Sequence, residues 1–117
     1  MSDATPFTPM LDAIMRTRGV RASLIVSATD GIAIDSNLQF GQEGGRFAAL
    51  AASLYRKARL SAQAAGFGGA GFMHLEAEHG RLCLLGGDEI ILVAVADQDA
   101  NVGLIRVEML RCAEALA

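Results

Sequence analysis

Residues 43–64 decide the arrangement of the rest of the chain and read Glu43-Gly-Gly-Arg-Phe-Ala-Ala-Leu-Ala-Ala-Ser-Leu-Tyr-Arg-Lys-Ala-Arg-Leu-Ser-Ala-Gln-Ala64. Alanine, leucine, arginine and lysine dominate this stretch, and these residues favour the α-helix. At about 100° per residue, five apolar residues fall within one sector of the helix surface, and we expect that stripe to lie against a sheet. The stripe consists of Phe47, Leu50, Ala51, Leu54 and Ala58.

The residues on the remaining sides of this helix are small or of mixed polarity rather than uniformly polar. A shoulder of Ala48, Ala52 and Tyr55 lies beside the stripe and is small enough to admit a second helix closely. Arg56 and Leu60 lie on the opposite side. Such surfaces indicate a second covering element. The other interpretation is a helix that is merely rich in alanine, because scattered exposed apolar residues are common.

Size and composition limit the classes of protein to consider. The chain has 117 residues, which suffice for one domain, and 52% of them are hydrophobic, which indicates a globular fold. A net charge of −3 with ten Lys and Arg gives no basis for nucleic-acid binding. No apolar run approaches the roughly 20 residues that span a bilayer, and the N-terminus does not resemble a secretory signal, so we expect a cytoplasmic protein without membrane insertion.

The segments around the long helix alternate between helix and strand patterns. Thr8-Pro9 is typical of a helix start, with Thr8 as the N-cap and Pro9 at the first helical position, and Thr29-Asp30-Gly31 is typical of a hairpin turn. The predicted elements, in order, are a helix (about 9–18), strands (21–28 and 32–37), the long helix (43–65), strands (71–78, 81–86 and 89–96) and a helix (101–117).

These elements predict an α+β fold with one domain. The last strand is apolar at every position after Glu89, so it should be central and covered on both sides. Tight turns make neighbouring strands antiparallel. We therefore predict a five-stranded antiparallel sheet in the order α-β-β-α-β-β-β-α, with helices on both faces, over residues 8–117 after a flexible tail at residues 1–7.

Two motifs suggest chemistry but lack its structural context. Gly66-x-Gly68-x-x-Gly71 matches a dinucleotide fingerprint, but it follows a helix and precedes a strand, the reverse of the required order, so a flexible connection is the better interpretation. Asp97, Asp99, Asn101 and Glu108 resemble half a calcium loop, but Val102 replaces its glycine. Asn101 or Asp99 more simply caps the last helix.

A zinc site and a reactive cysteine pair are also weakly supported. If His79-Gly80 is a two-residue turn, Glu76 faces Cys83 on the side of His74, and with His79 these are zinc ligand types. Charged residues that protect an unpaired sheet edge explain His74 and Glu76 equally well. Cys83 and Cys112 lie in apolar segments and are expected to be reduced core residues. We expect no metal, no cofactor and no catalytic residue.

The order and spacing of several short motifs resemble the Roadblock/dynein light chain family over residues 8–117. The motifs are Gly19-Val20, the hairpin Leu24–Ile34, the alanine-rich helix, His79-Gly80-Arg81-Leu82, the strand Ile90–Ala96 and Asn101-Val-Gly-Leu-Ile-Arg106. The glycine-rich loop at residues 66–71 departs from the pattern. The high alanine and glycine content suggests a bacterial source.

The resemblance implies a homodimer, or a heterodimer with a paralogue, in which the third strand and the long helix meet their counterparts. The residues expected at this interface are Ala48, Ala51, Ala52, Tyr55, Phe72, His74 and Glu76. The family mostly regulates small Ras-like GTPases, as activators or scaffolds, and its bacterial branch acts on gliding-motility and polarity GTPases. Its activators supply no arginine finger, so no catalytic arginine is assigned here.

Three functions remain open at this point. The first is a non-enzymatic dimeric scaffold or regulator of a small Ras-like GTPase, which binds its partner through the basic, partly apolar surface of Arg56, Lys57, Arg59 and Leu60. The second is a small-ligand sensor or adaptor like the PAS or profilin domains, with a pocket lined by Phe47 and Phe72. The third is a small metalloenzyme at the zinc candidates.

Overall fold

The computed structural model describes residues 5–116, without the side chain of Leu116, and these residues form three helices and five strands. In chain order the elements are α1 (Thr8–Met15), β1 (Val20–Ser27), β2 (Ala33–Leu38), α2 (Gly44–Ala64), β3 (Phe72–Ala77), β4 (Gly80–Gly86), β5 (Ile90–Ala96) and α3 (Val102–Leu116).

The strands form one antiparallel sheet in the order β2-β1-β5-β4-β3. The all-apolar strand β5 lies at the centre, where Val93 faces Leu24 of β1 on one side and Leu84 of β4 on the other. The predicted fold class is therefore confirmed. Strands β2 and β3 form the two edges.

Two separate apolar clusters, one on each face of the sheet, hold the fold together. On one face, α1 and α3 contribute large side chains, and Cys83 and Leu92 lie beneath them; the helix residues are Met10, Leu11, Ile14, Ile105, Met109 and Cys112. On the other face, α2 covers residues such as Leu24, Leu84 and Val93. This two-sided cover explains why β5 needs no polar face.

The first helix differs from its predicted bounds. It begins at Thr8, and the N-cap position falls on Phe7, so Thr8 is not the cap. The helix ends at Met15 because tighter turns follow, in which Thr17 N donates to Ile14 O (3.0 Å) and Gly19 takes a φ of +91°. An added Cβ at Gly19 would lie 2.8 Å from the Ala100 Cβ, so this turn also requires glycine for space.

The N-terminal tail is described only in part. Residues 1–4 lie outside the described residues, as does Ala117. At residue 5, the Thr5 hydroxyl donates to the Asp35 carboxylate of β2. The division into a tail at residues 1–7 and a domain from residue 8 stays a prediction.

The second hairpin turns one residue earlier than predicted. Ala77 pairs with Gly80, so Glu78 and His79 form the two-residue turn, and both keep a negative φ. His74 then faces Cys83, and Glu76 faces Arg81. The predicted pairing of Glu76 with Cys83 is therefore wrong, because a shift of one residue at the turn moves every cross-strand pair.

Candidate functional site

Helix α2 lies on the sheet with its smallest residues inward. Ala48, Ala51 and Ala52 are fully buried and Tyr55 almost so, whereas Leu50 is 45% exposed. The predicted stripe is wrong by roughly a quarter turn of the helix. Hydrophobicity alone gave the larger residues the inner side, but alanines allow the helix axis to approach the strands closely, and that close packing decides the orientation.

Tyr55 fixes this orientation by packing its ring against strand β4 of the sheet. Its ring occupies the space above Gly86 of β4, where an added Cβ would lie 1.9 Å from the ring. Its hydroxyl donates to the carbonyl of Ala70 at 3.1 Å. Glycine at position 86 and tyrosine at position 55 therefore act as a pair, which sequence periodicity does not show.

The predicted α2 contribution to a dimer interface needs correction. Ala48, Ala51, Ala52 and Tyr55 belong to the core cluster of their own chain, so they leave no surface for a second helix in this conformation. The residues on the adjoining flank are larger: Phe47 and Leu54 are half-buried, and Leu50 is exposed.

That flank of α2 faces the β3 edge. On the opposite flank, Ala52 approaches Gly31 of the β1–β2 turn, and Arg56 Nη1 donates to Thr29 O at 3.2 Å. Met73 of β3 packs against the same cluster as Phe47 and Leu54. Leu75, two residues along the strand, is 42% exposed on the same face. We call these five residues the β3–α2 patch: Phe47, Leu50, Leu54, Met73 and Leu75.

The predicted interface residues on β3 lie on the other face of the sheet. His74 and Glu76 both contact Arg81, whose Nη1 lies 3.2 Å from His74 Nε2 and 2.8 Å from Glu76 Oε1. Phe72 is half-buried beneath the guanidinium of Arg106, 5.3 Å from the ring centre. His74 and Glu76 are exposed at the sheet edge, and Phe72 is partly covered by its own chain.

Three of the four predicted partner-binding residues come together. Arg56, Arg59 and Leu60 line a shallow cleft of about 290 Å³ with Gln63. Arg59 forms a 3.5 Å ion pair with Asp88, and Leu60 is 66% exposed. Lys57 is exposed but does not line the cleft; on the helix it lies on the same side as Leu50, two turns further along.

The zinc and calcium candidates do not form ligand sets. Arg81 occupies the space between His74 and Glu76, where its charge repels a cation. Asn101 Oδ1 accepts a hydrogen bond from Leu104 N at 3.1 Å, which confirms its capping role, and Asp97 forms an ion pair with Arg21. Within residues 5–116, no group of three or more His, Cys, Asp or Glu side chains could hold a metal ion.

The cysteines and the pocket hypothesis have clear outcomes. Cys83 and Cys112 are free and buried, as predicted, and burial raises the pKa of Cys83 from 9.0 to about 11 and that of Cys112 in the same direction.

Phe47 and Phe72 pack against different clusters on opposite faces of the sheet. The prediction that they line one ligand pocket is therefore wrong.

The loop at residues 66–71 connects α2 to β3. Gly66 and Gly68 take positive φ values of +79° and +83°, which explains the two glycines without a bound phosphate. Between residues 5 and 116, no helix has both the length and the apolar composition to cross a membrane.

Comparison with known proteins identifies the family. The model of the Roadblock/LC7 domain matches residues 8–96. The uncharacterized protein MJ1340 of Methanocaldococcus jannaschii is 32% identical over 109 residues, which cover 90% of this chain and 95% of that protein.

Two solved structures share the fold. The Roadblock/LC7 domain from Streptomyces avermitilis has a TM-score of 0.81 and 18% identity and covers 92% of this chain and 91% of its own. The gliding protein MglB of Thermus thermophilus has a TM-score of 0.82 and 21% identity, with coverage of 100% and 92%. The chain belongs to the Roadblock/LC7 domain family.

Proposed function

We propose that the chain acts as a dimeric, non-catalytic scaffold or regulator of a small Ras-like GTPase. The observation that carries this proposal is the orientation of α2, which buries alanines and leaves Leu50 and Leu60 exposed. Outward-facing apolar residues beside a free sheet edge mark a protein–protein contact surface. The match to the Roadblock/LC7 domain over residues 8–96 supports the same conclusion, because the resemblance to this family implies regulation of such GTPases.

The two flanks of α2 would serve different partners. The β3–α2 patch faces an unpaired strand edge, so it suits a second copy of the chain or a close paralogue. The cleft formed by Arg56, Arg59 and Leu60 combines positive charge with an exposed apolar side chain. This combination suits an acidic protein surface with an apolar depression, and we assign the GTPase to it.

Binding assays test the GTPase assignment directly. Each Ras-like GTPase from the source organism is purified, loaded with GDP or a non-hydrolysable GTP analogue, and titrated with the chain by isothermal calorimetry. We expect binding of at least one GTPase and a loss of about tenfold or more in affinity with Leu60→Asp, since ~1.4 kcal/mol corresponds to tenfold. A nucleotide hydrolysis assay on the same complex separates an activator from a scaffold.

A matched control is available on the other face of the sheet. Leu104 on α3 is 59% exposed, close to the 66% of Leu60, so Leu104→Asp makes the same chemical change elsewhere. Leu104→Asp should leave GTPase affinity unchanged. Equal affinities of Leu60→Asp and the parent chain, with circular dichroism showing both folded, would contradict the α2 site. Absence of binding to every GTPase tested would contradict the function.

A further inference from the structure

The outer edge of β2 lies on the opposite side of the sheet from β3, and within residues 5–116 no strand pairs with it. Gln39 N donates to Arg21 O at 3.0 Å, so the backbone groups of Gln39, and with them those of Asn37, point toward β1. Backbone groups alternate in direction along an antiparallel strand. The N–H and C=O groups of Ser36 and Leu38 therefore point outward, where they can pair with a further strand.

A β-bulge limits the length of this edge. Val26 of β1 pairs with Ala33, and its neighbour Ile25 pairs with Asp35. Ile34 is thus an extra residue in the β2 register. Because bulges bend an edge strand and interrupt its ladder, the edge admits a short segment beside the second half of β2 rather than an extended stack of strands.

Large apolar side chains are exposed at both ends of the edge. Ile34 is 49% exposed at the bulge, and Phe40, two residues after the strand ends, is fully exposed. Leu38 lies between them and is half-buried against the cluster under α2. A free strand edge with apolar side chains beside it offers a bound segment both backbone hydrogen bonds and apolar contacts.

The charge around β2 has one sign. Residues 22–45 contain no Lys or Arg, whereas Asp30 lies in the β1–β2 turn and Asp35 in the strand. Asp12 of α1 adjoins the strand, because its Oδ1 accepts from Asn37 Nδ2 at 2.7 Å. In the described part of the chain, none of these three carboxylates forms an ion pair. Positive charge on a partner would complement them.

The two faces of the edge favour different side chains. Asp35 lies opposite Ile25, a residue of the cluster beneath α1 and α3, and Asp12 binds Asn37 on that same face. Leu38 lies on the α2 face. Successive side chains of an added strand point to alternate faces. Basic residues at every second position would therefore meet the carboxylates, and apolar residues between them would meet Leu38.

We propose that the outer edge of β2 binds an extended segment of a partner protein as a sixth strand, and that this segment alternates Lys or Arg with apolar residues. The backbone groups of Ser36 and Leu38 pair with the segment, and its basic residues face Asp12 and Asp35. The site uses the edge opposite the β3–α2 patch and leaves the cleft on α2 free. The inference therefore goes beyond the proposed function and does not depend on it.

Synthetic peptides test the required pattern. The probe is a fluorescein-labelled heptapeptide in which lysine and valine alternate. One control replaces every lysine with glutamate, and the other places all lysines before all valines, which keeps the charge and removes the alternation. In fluorescence anisotropy titrations at physiological salt, we expect the alternating lysine peptide to bind at least about tenfold more tightly than either control. Equal binding of the block peptide, or no binding of the alternating one, would overturn the proposal.

A proline substitution tests the backbone pairing. Because the N–H of Ser36 points away from β1, Ser36→Pro removes a donor from the free edge and none from the β1–β2 ladder. Ser36→Ala keeps this N–H and is the matched control. We expect Ser36→Pro to weaken peptide binding at least about tenfold and Ser36→Ala to leave it unchanged, with circular dichroism reporting the fold of both. Equal affinities of two folded variants would exclude pairing at this edge.

Two further measurements do not depend on how the chain tolerates proline. In the parent chain, the alternating peptide should slow amide hydrogen exchange of Ser36 and Leu38 at least about tenfold and leave the amides of β3 unchanged. Asp35→Lys should lower the ratio of lysine-peptide to glutamate-peptide affinity at least about tenfold, whereas Asp99→Lys, in the exposed loop before α3, should not change it. Protection at β3 instead of β2, or an unchanged ratio in Asp35→Lys, would contradict the site and leave the GTPase assignment untouched.

Discussion

The two faces of the sheet are covered in opposite ways. On one face, α3 buries its large residues Ile105 and Met109 and follows the usual amphipathic pattern. On the other, α2 buries three alanines and a tyrosine and leaves Leu50 and Leu60 exposed. The comparison shows that a helix can meet its sheet through small residues and keep its large ones for other contacts. This difference is why we propose α2 as the interaction helix.

The largest expected effect comes from removing a large residue under α3. Ile105 is fully buried, so Ile105→Ala should lower the free energy of unfolding by about 2–5 kcal/mol, through lost transfer energy and a residual cavity. Urea denaturation followed by circular dichroism measures this. The adjacent Leu104→Ala is the control and should change stability by less than about 0.5 kcal/mol. Equal effects at both positions would mean that the two sides of α3 are misassigned.

The opposite change tests the α2 face. Ala51 is fully buried against the sheet, so Ala51→Leu should destabilise the chain by about 1–3 kcal/mol, because the added carbons force the helix away from the strands. Ala49→Leu, on the exposed side of the same helix, should change stability little. Thermal unfolding of the two variants compares them. If the chain tolerated Ala51→Leu better than Ala49→Leu, the inward orientation of the alanines would be contradicted.

A smaller effect is expected on the pH dependence of stability, and it comes from Cys83 on the α3 face of the sheet. The pKa of Cys83 is raised to about 11 from 9.0, so the folded state holds this proton more tightly. The resulting stability is present below pH 9 and is lost as pH rises toward 11. Between about pH 8 and pH 10 the loss should be about 1 kcal/mol by linkage.

The pH effect is isolated by comparison with Cys83→Ala. This variant removes the thiol, so the difference in the free energy of unfolding between it and the parent chain should shrink by that amount over the same pH range. Other groups that titrate in this range affect both proteins alike. A difference that stays constant with pH would show that the thiol is not shielded in the folded chain.

The smallest expected effect concerns the exposed sides of the two helices. Leu50→Glu should weaken self-association about fivefold, roughly 1 kcal/mol, because it places a charge in the β3–α2 patch. Leu104→Glu on α3 should leave self-association unchanged. Analytical ultracentrifugation over a concentration series measures both. Equal weakening by the two variants would remove the distinction between α2 and α3 as interaction surfaces.

The sequence was sufficient to predict the helices and strands and their order, but it predicted less well which of their surfaces are buried or exposed. Alternation in the strands, the Asp30-Gly31 turn and the all-apolar strand β5 each act through local propensity or burial, so they predicted the fold class and the covered sheet. The cleft of Arg56, Arg59 and Leu60 was also predictable, because residues three or four apart share one helix face. The packing of the Tyr55 ring over Gly86 could not be predicted, because no local sequence pattern connects the two residues.

The sequence by itself determined that a long helix at residues 44–64 covers a five-stranded sheet and carries more apolar surface than one face requires. Only the tertiary structure decided which face is inside. The free energy of transfer favours burying Leu50 and Leu54, but close packing over Leu24, Leu84 and Gly86 admits only alanines and the inserted Tyr55 ring. The large residues are thereby left at the β3 edge, where a second chain can bury them.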